Sequence, residues 1–137
     1  MNHAIGFSKR RAVIFTIVLL IAAVHIFRIG SYLQGESFNL YYSYFSDIVL
    51  PFVCYFLLCA TELRTPVLKR WEAKFAIAFL LPSIAETFQY FGIPILGSTF
   101  DPSDYLMYAI GALSAAVLDT QVFPRIFNFW NQEKAER

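Results

Sequence analysis

Four long apolar stretches divide this chain, and the charged residues fall between them. The stretches cover residues 12–29, 40–60, 75–91 and 105–123, and each is 17 to 21 residues long. About 20 apolar residues in a helix cross a hydrocarbon core of about 30 Å, and an open strand cannot satisfy its backbone hydrogen bonds in lipid. The pattern therefore predicts an all-α membrane protein with four transmembrane helices.

Composition supports a membrane protein and bounds its size. The chain has 137 residues, which leaves room for one domain, so we expect a single four-helix transmembrane domain over 1–137. It is 58% hydrophobic and 15% charged, whereas soluble domains are about 45–50% apolar and about 25% charged. The net charge of +1 gives no basic field, so we expect the bilayer as a partner and no nucleic acid.

The distribution of Lys and Arg predicts the orientation. Ten of the eleven lie in the N-terminal tail, the middle connection and the C-terminal tail, and only Arg28 falls toward the other side. Cytoplasmic loops are enriched in Lys and Arg, so both termini are predicted to be inside. A cleaved signal peptide is the alternative reading of the first stretch, but that stretch is long and no small-x-small site follows it cleanly.

The connections have predicted structure of their own. Thr65 and Pro66 are typical of a helix N-cap followed by a first-turn proline. A short interfacial helix is therefore predicted before the third span, with an apolar face formed by Val67, Leu68, Trp71 and Phe75. A weaker version of the same pattern follows Pro124 in Ile126, Phe127, Phe129 and Trp130.

Polar residues inside the spans point to a site. Each costs roughly 2.5–3.5 kcal/mol to insert, so the default expectation is that they face the bundle interior and have a function. All four spans bring such a residue to their outer halves. We expect an outward-facing polar pocket, with Arg28 paired to Asp47, Glu86 or Asp104. Its predicted ligand-binding residues are Arg28, Asp47, Glu86, Gln89, Asp101, Asp104 and Tyr108.

Simpler roles exist for several of these residues. Asp101 and Asp104 could be a turn and a helix cap, Gln89 and Tyr108 could be hydrogen bonds between helices, and Arg28 could extend alone to the interface. His25 is more typical of a packing residue than of a ligand.

Other polar and small residues have predicted structural roles. Asp119, near the inner end, is expected to meet a basic residue. Gly111 and Ala115 form a small-xxx-small pair that allows close helix packing. Cys54 and Cys59 are read as buried free thiols, and no metal ligand set or cofactor motif is present in the sequence.

The polar residues of the third and fourth spans also carry a family resemblance. The relevant stretch contains Glu86, Thr87, Phe88 and Gln89, then Asp101, Pro102, Ser103 and Asp104, then Tyr108 and Gly111. It resembles the VanZ-like family of small bacterial membrane proteins, whose pattern is Glu-x-x-Gln, a loop arginine, then Asp with Asn four and Gly seven residues later. The resemblance covers about 30 of 137 residues.

Two positions depart from that family pattern. No arginine lies between Gln89 and Asp104, and Tyr108 stands where the family has Asn; Arg28 is a candidate replacement from another helix. The resemblance implies a multi-pass protein of the bacterial cytoplasmic (inner) membrane with an outward-facing polar site. The family is named for glycopeptide-antibiotic resistance, which supplies a location rather than a reaction.

Four functional classes follow from the sequence. The first is a cell-envelope binding protein that holds a lipid headgroup or envelope precursor. The others are a membrane-embedded enzyme acting on such a lipid, a proton-coupled carrier, and a structural partner of another membrane protein or of a second copy. No HExxH, GxSxG or phosphate loop is present, which favours binding over catalysis. No catalytic residue is assigned.

Overall fold

The computed structural model describes residues 8–62, 65–95 and 99–131 of the chain. All regular structure in these ranges is helical, and they contain no strand. The predicted all-α fold class is therefore confirmed for the described residues.

The first half of the chain forms two long helices, and the second of them contains a π turn. α1 covers Lys9–Ile26 and is capped by Ser8, whose hydroxyl accepts the Arg11 N–H. A 3₁₀ turn follows at Ile29–Tyr32. Next come α2 (Glu36–Leu40), a π turn (Tyr41–Phe45) and α3 (Ser46–Thr61), which together make a continuous helix.

The second half repeats this arrangement. A 3₁₀ turn over Pro66–Lys69 precedes α4, which covers Trp71–Tyr90. α5 (Pro102–Val117), a π turn (Leu118–Val122) and α6 (Phe123–Ile126) form the last continuous helix. Asp101 caps α5 by accepting the Ser103 N–H at 2.8 Å, with Pro102 in the first turn, as expected from the stop and start signals of helices.

The long helices form an antiparallel bundle. α3 packs against α1, α4 and α5, and the α3–α5 pair is the most extensive. The start of α1, the end of α3, the start of α4 and the π turn after α5 meet at one end, because ion pairs join Arg10, Glu62, Lys74 and Asp119 there. Successive long helices therefore alternate in direction.

Gly111 sets the closest approach in the bundle. A Cβ at this position would lie 2.0 Å from the backbone oxygen of Ile48 and 2.8 Å from Pro51 Cγ. α5 therefore touches the backbone of α3 directly, and Ala115, one turn further along, is fully buried in the core. This is the packing that a small-xxx-small pair permits.

Two of the helices are long and apolar enough to cross a membrane, namely Glu36–Thr61 and Pro102–Ile126. α1 and α4 are less apolar because each includes three charged residues within 18 and 20 residues, respectively. Two spans are thus supported by length and composition. The four transmembrane helices expected from the sequence stay a prediction.

The segments flanking the bundle differ from the prediction. The expected interfacial helix before the third span is a four-residue 3₁₀ turn with Leu68 buried, and Trp71 already belongs to α4. Thr65 makes no side-chain cap there. Trp130, predicted to lie at the interface, is instead fully buried, because the chain after α6 folds back over the bundle end and contacts Phe123.

Candidate functional site

The bundle has a polar cluster at each end. The first, the ion quartet, consists of Arg10, Glu62, Lys74 and Asp119. The second, the carboxylate cavity, lies at the opposite end and is lined by Asp47, Glu86 and Asp104 together with other side chains.

The ion quartet joins three of the long helices and the π turn. Arg10 donates from Nη1 and Nη2 to the two Glu62 oxygens at 2.6 and 3.1 Å, and from Nη2 to Asp119 Oδ1 at 3.3 Å. The Lys74 ammonium donates to Asp119 Oδ2 at 2.9 Å and to Glu62 Oε1. Each carboxylate therefore faces both cations, and the four formal charges cancel.

Aromatic side chains complete the quartet. Tyr55 donates its hydroxyl to Asp119 Oδ2 at 2.9 Å, and Trp130 donates Nε1 to the Asp119 backbone oxygen and Oδ1. The Arg10 guanidinium also lies 5.0 Å from the Trp130 ring centroid, within the range of a cation–π contact. The folded-back tail is thus tied to the quartet by hydrogen bonds as well as by packing.

The charges of the quartet are well compensated despite its burial. Burial alone would lower the pKa of the Arg10 guanidinium and of the Lys74 ammonium, which both precede the predicted spans. At Arg10 the hydrogen bond and charge of Glu62 outweigh that effect, and at Lys74 the nearby Cys59, Asp119 and Glu62 do so, which raises both pKa values above the ordinary range. Both side chains therefore remain cations, as a buried pair of ion pairs requires.

Asp119 contributes to the quartet from a π turn. Asp119 lies in the π turn Leu118–Val122 and is fully buried. π turns inside α-helices are rare and concentrate at functional or strained sites. Ala115 and Asp119 are four residues apart, so they share the inward face of this helix, and both are fully buried.

The quartet and the adjacent Cys59 contain donor atoms that a metal could use. Cys59, Glu62 and Asp119 each offer one ligand atom, and these atoms lie within 4.8 Å of one another. The carboxylate oxygens, however, already accept hydrogen bonds from Arg10 and Lys74. A metal ion would have to displace both cations, so this arrangement is better described as an internal ion-pair network.

Sequence reasoning found only part of the quartet. The prediction that Asp119 meets a basic residue is confirmed, with Lys74 and Arg10 as partners. Arg10 and Lys74 were interpreted as flanking charges of the cytoplasmic side, and Glu62 was not singled out. The signal for Glu62 was its place at the end of an apolar stretch, where a carboxylate also needs a partner.

The carboxylate cavity has a volume of about 460 Å³, within the range of about 300–1,000 Å³ that is common for ligand pockets. It is formed mainly between the start of α3, the end of α4 and the start of α5, with His25 of α1 at its edge. Its described lining residues include His25 but no Lys or Arg, and they are His25, Ser46, Asp47, Val49, Leu50, Val53, Glu86, Gln89, Thr99, Asp104 and Tyr108.

Glu86 is the best-anchored carboxylate of this cavity. Its side chain is almost fully buried, with 2% of the residue exposed. Oε1 accepts the Asp101 N–H at 2.8 Å, and Oε2 accepts the Tyr108 hydroxyl at 3.4 Å. Glu86 therefore fastens the end of α4 to the start of α5 while one side of it contributes to the cavity wall.

Asp47 and Asp104 are held less tightly. Both are half-buried and line the cavity from the starts of α3 and α5. Neither carboxylate has a hydrogen-bond or ion-pair partner within the part of the chain that the structure describes. Because like charges in one cavity repel each other, these two groups leave a site that favours a cation.

The other predicted pocket residues divide into two groups. Gln89 and Tyr108 line the carboxylate cavity. Asp101 donates its backbone N–H to Glu86, and its side chain caps the start of α5. The side chain therefore has the simpler role of a helix cap. His25, which the sequence indicated as a packing residue, also lines the cavity. Ser46 and Thr99 line it as well and were not predicted, because a lone Ser or Thr carries little signal.

Arg28 does not join the carboxylates. Among the described residues it forms no ion pair with Asp47, Glu86 or Asp104, so the expected pairing is absent. Arg28 follows the C-cap of α1 in a left-handed conformation with φ +50°, which turns the chain away from the α1 axis. Arg28 lines a separate cavity of about 220 Å³ with His25, Gly30, Tyr41, Tyr42 and Ser46, here called the arginine cavity.

Comparison with family models, curated proteins and solved structures gives no match to this chain. The resemblance to the VanZ-like family therefore stays a prediction from the spacing of Glu86, Gln89, Asp104 and Gly111.

Proposed function

We propose that the chain is a four-span protein of the bacterial cytoplasmic membrane, of the VanZ-like kind, whose carboxylate cavity opens to the cell exterior. The cavity binds the positively charged group of an envelope lipid or precursor. The observation that carries this proposal is a cavity of about 460 Å³ lined by three carboxylates and by no described Lys or Arg.

The distribution of burial supports the membrane setting. Five charged side chains are buried, namely Arg10, Glu62, Lys74, Glu86 and Asp119. Large apolar side chains face outward instead; Leu19 is 68% exposed and Leu113 is 52% exposed. Extended exposed apolar surface on a soluble monomer is rare, whereas lipid is a suitable solvent for it. The outward Leu residues include those of α1, which favours α1 as a span.

The orientation is testable by cysteine labelling. In a Cys54→Ala/Cys59→Ala background, an impermeant reagent added to intact cells should label Asp104→Cys and should not label Arg125→Cys. Arg125 is exposed near the opposite end of the bundle, so it is a matched position. The reverse labelling pattern would overturn the proposed orientation and place the cavity in the cytoplasm.

Charge complementarity determines the ligand class. Three carboxylates that share a partly buried cavity repel one another, and an opposite charge within about 4–6 Å relieves that repulsion. Arg28 does not supply it, since it lies in a separate cavity. A ligand ammonium group would supply it while its acyl chains remain in the surrounding lipid.

Native mass spectrometry of the purified protein tests the proposal. The wild-type protein should retain amine-bearing lipid from the host membrane, and Asp47→Asn/Asp104→Asn should lose most of it. Glu36→Gln is the control, because Glu36 is an exposed carboxylate at the start of α2. Equal retention by all three proteins would contradict the proposal.

A carrier is the second candidate, because the bundle has a cavity at one end and a sealed quartet at the other. Transport would require the quartet end to open. Separating a buried ion pair costs about 3–5 kcal/mol when one partner is left uncompensated, and here two cations and two carboxylates would be exposed together. Binding without translocation is therefore favoured. Amine flux in proteoliposomes that disappears in Asp47→Asn would support the carrier instead.

A further inference from the structure

The carboxylate cavity and the arginine cavity are neighbours with opposite charge. His25 and Ser46 line both of them, so the two spaces meet at these side chains. One side holds Asp47, Glu86 and Asp104. The other is lined by Arg28, Tyr41 and Tyr42. A ligand that crosses the shared wall would meet an anionic site first and a cationic site next.

The donors of the arginine cavity suit a phosphate. Arg28 provides a guanidinium, which binds phosphate oxygens in a bidentate manner, and Ser46 provides a hydroxyl that can donate a hydrogen bond. The Arg28 side chain has no hydrogen-bond or ion-pair partner in the described ranges. His25 Nδ1 lies 3.0 Å from the Ile21 oxygen, and Nε2 has no hydrogen-bond partner among the described residues.

The backbone gives separate support for a role of the Arg28 side chain. Arg28 adopts the left-handed conformation at the end of α1, where glycine is the usual residue and other residues are strained. A glycine would satisfy the turn without that strain. The side chain is therefore present despite a conformational cost rather than because the turn requires it.

We propose that the two cavities together form one site for a zwitterion, with a primary ammonium in the carboxylate cavity and a phosphate at Arg28. A phosphoethanolamine headgroup has this chemistry. The inference extends the proposed function by adding the second half of the site, and it depends on that function for the first half.

Defined lipids separate the two halves of the site. The purified full-length protein in detergent is titrated with phosphatidylethanolamine, with phosphatidylglycerol and with oleylamine, which has an ammonium but no phosphate. Bound lipid is counted by native mass spectrometry. We expect phosphatidylethanolamine to bind about tenfold more tightly than oleylamine, the gain of one charge-assisted contact, and phosphatidylglycerol to bind least.

Arg28→Gly is the decisive variant, because glycine suits the left-handed turn and should leave the melting temperature unchanged or higher. It should reduce phosphatidylethanolamine affinity to that of oleylamine and leave oleylamine affinity unchanged. Arg28→Lys should restore part of the difference. Arg125→Gly, in which another exposed Arg is replaced, measures any general effect of removing a positive charge.

The outcomes distinguish this inference from the proposed function. If Arg28→Gly binds phosphatidylethanolamine as the wild type does, the zwitterion inference is overturned while amine binding stands. If Asp47→Asn/Asp104→Asn binds oleylamine as the wild type does, the proposed function itself fails. Competition by soluble glycerophosphoethanolamine would support recognition of the zwitterionic headgroup, and wild-type binding of oleylamine as tight as that of phosphatidylethanolamine would overturn it.

Discussion

The two ends of this bundle use the same kind of residue in opposite ways. In the ion quartet, Glu62 and Asp119 each face two cations, and the cluster is neutral and closed. In the carboxylate cavity, Asp47 and Asp104 have open space in front of them and no described Lys or Arg beside them. An ionisable residue within a span is therefore weak evidence of function by itself. Whether neighbouring groups of opposite charge neutralise it is more informative.

The two clusters are far enough apart to be tested separately. Tyr108 and Asp119 are 11 positions apart, which corresponds to about 16 Å along a helix. The fully buried small residues Ala78, Ala112 and Ala115 lie in the core. Substitutions more than about 7–10 Å apart usually have additive effects on the free energy of unfolding, so each end can be changed against an unchanged opposite end.

The largest expected effect is at the quartet. Lys74→Met should lower the free energy of unfolding by about 3–5 kcal/mol, because it leaves Glu62 and Asp119 with one cation between them in a buried site. Reversible unfolding in mixed micelles measures the change. Arg125→Met, which replaces an exposed cation near the same end of the bundle, is the control and should change stability by less than about 0.5 kcal/mol. Similar losses in both variants would show that the quartet is not the source of stability.

Replacing both members of an ion pair should lower the free energy of unfolding by less than the sum of the two single substitutions. In Lys74→Met/Glu62→Met, Arg10 can still pair with Asp119 through the contact seen at 3.3 Å. We expect the double variant to be less destabilised than the sum of the single variants by about 1–3 kcal/mol. A double-mutant cycle on unfolding free energies measures this coupling, and additive effects would argue against direct pairing of the two residues.

Substitutions of Glu86 should have effects on stability between those at the two clusters, because Glu86 is both buried and part of the cavity. Glu86→Ala removes the acceptor for the Asp101 N–H and should cost about 2 kcal/mol. Glu86→Gln keeps an acceptor of the same shape and should cost less than about 1 kcal/mol. Thermal unfolding of the two variants makes the comparison, and equal losses would mean that the charge, rather than the hydrogen bond to Asp101, anchors α4 to α5.

The smallest expected effect is at Asp104. Asp104→Asn removes one of three mutually repelling carboxylates, so the unfolding free energy of the ligand-free protein should stay the same or rise by up to about 0.5 kcal/mol. A melting curve at neutral pH after delipidation measures the change. A loss comparable to that of Lys74→Met would show that the cavity is a second structural ion cluster and would remove the contrast between the two ends.

The helical fold was predictable because it follows from span length and backbone satisfaction. The apolar stretches predicted at 40–60 and 105–123 fall inside the helices Glu36–Thr61 and Pro102–Ile126. Their true ends were not predictable, because residues 36–39, 102–104 and 124–126 are helical although they lie outside the apolar stretches. The π turns at Tyr41–Phe45 and Leu118–Val122 lie inside the stretches, where composition does not distinguish a π turn from an α turn.

The polar sites were predictable only where the spacing of polar residues within one helix indicates them. The spacing of Glu86 with Gln89 and of Asp104 with Tyr108 indicated which faces of α4 and α5 would meet, and these side chains line one cavity. The ion quartet and the position of Arg28 depend on how separate segments meet. The folded-back Trp130 and the left-handed turn at Arg28 are tertiary and backbone features that helical periodicity does not encode.

The π turn at Leu118–Val122 also bears on how the length of this chain can change. A π turn holds one residue more than the α turn it replaces, and the extra residue is absorbed locally. Deleting one residue there would leave Gly111 and Trp130 facing their present neighbours. The same deletion within α5 would rotate everything beyond it by about 100°. Among homologues, single-residue insertions and deletions in this helix are therefore expected to collect at the turn that holds Asp119.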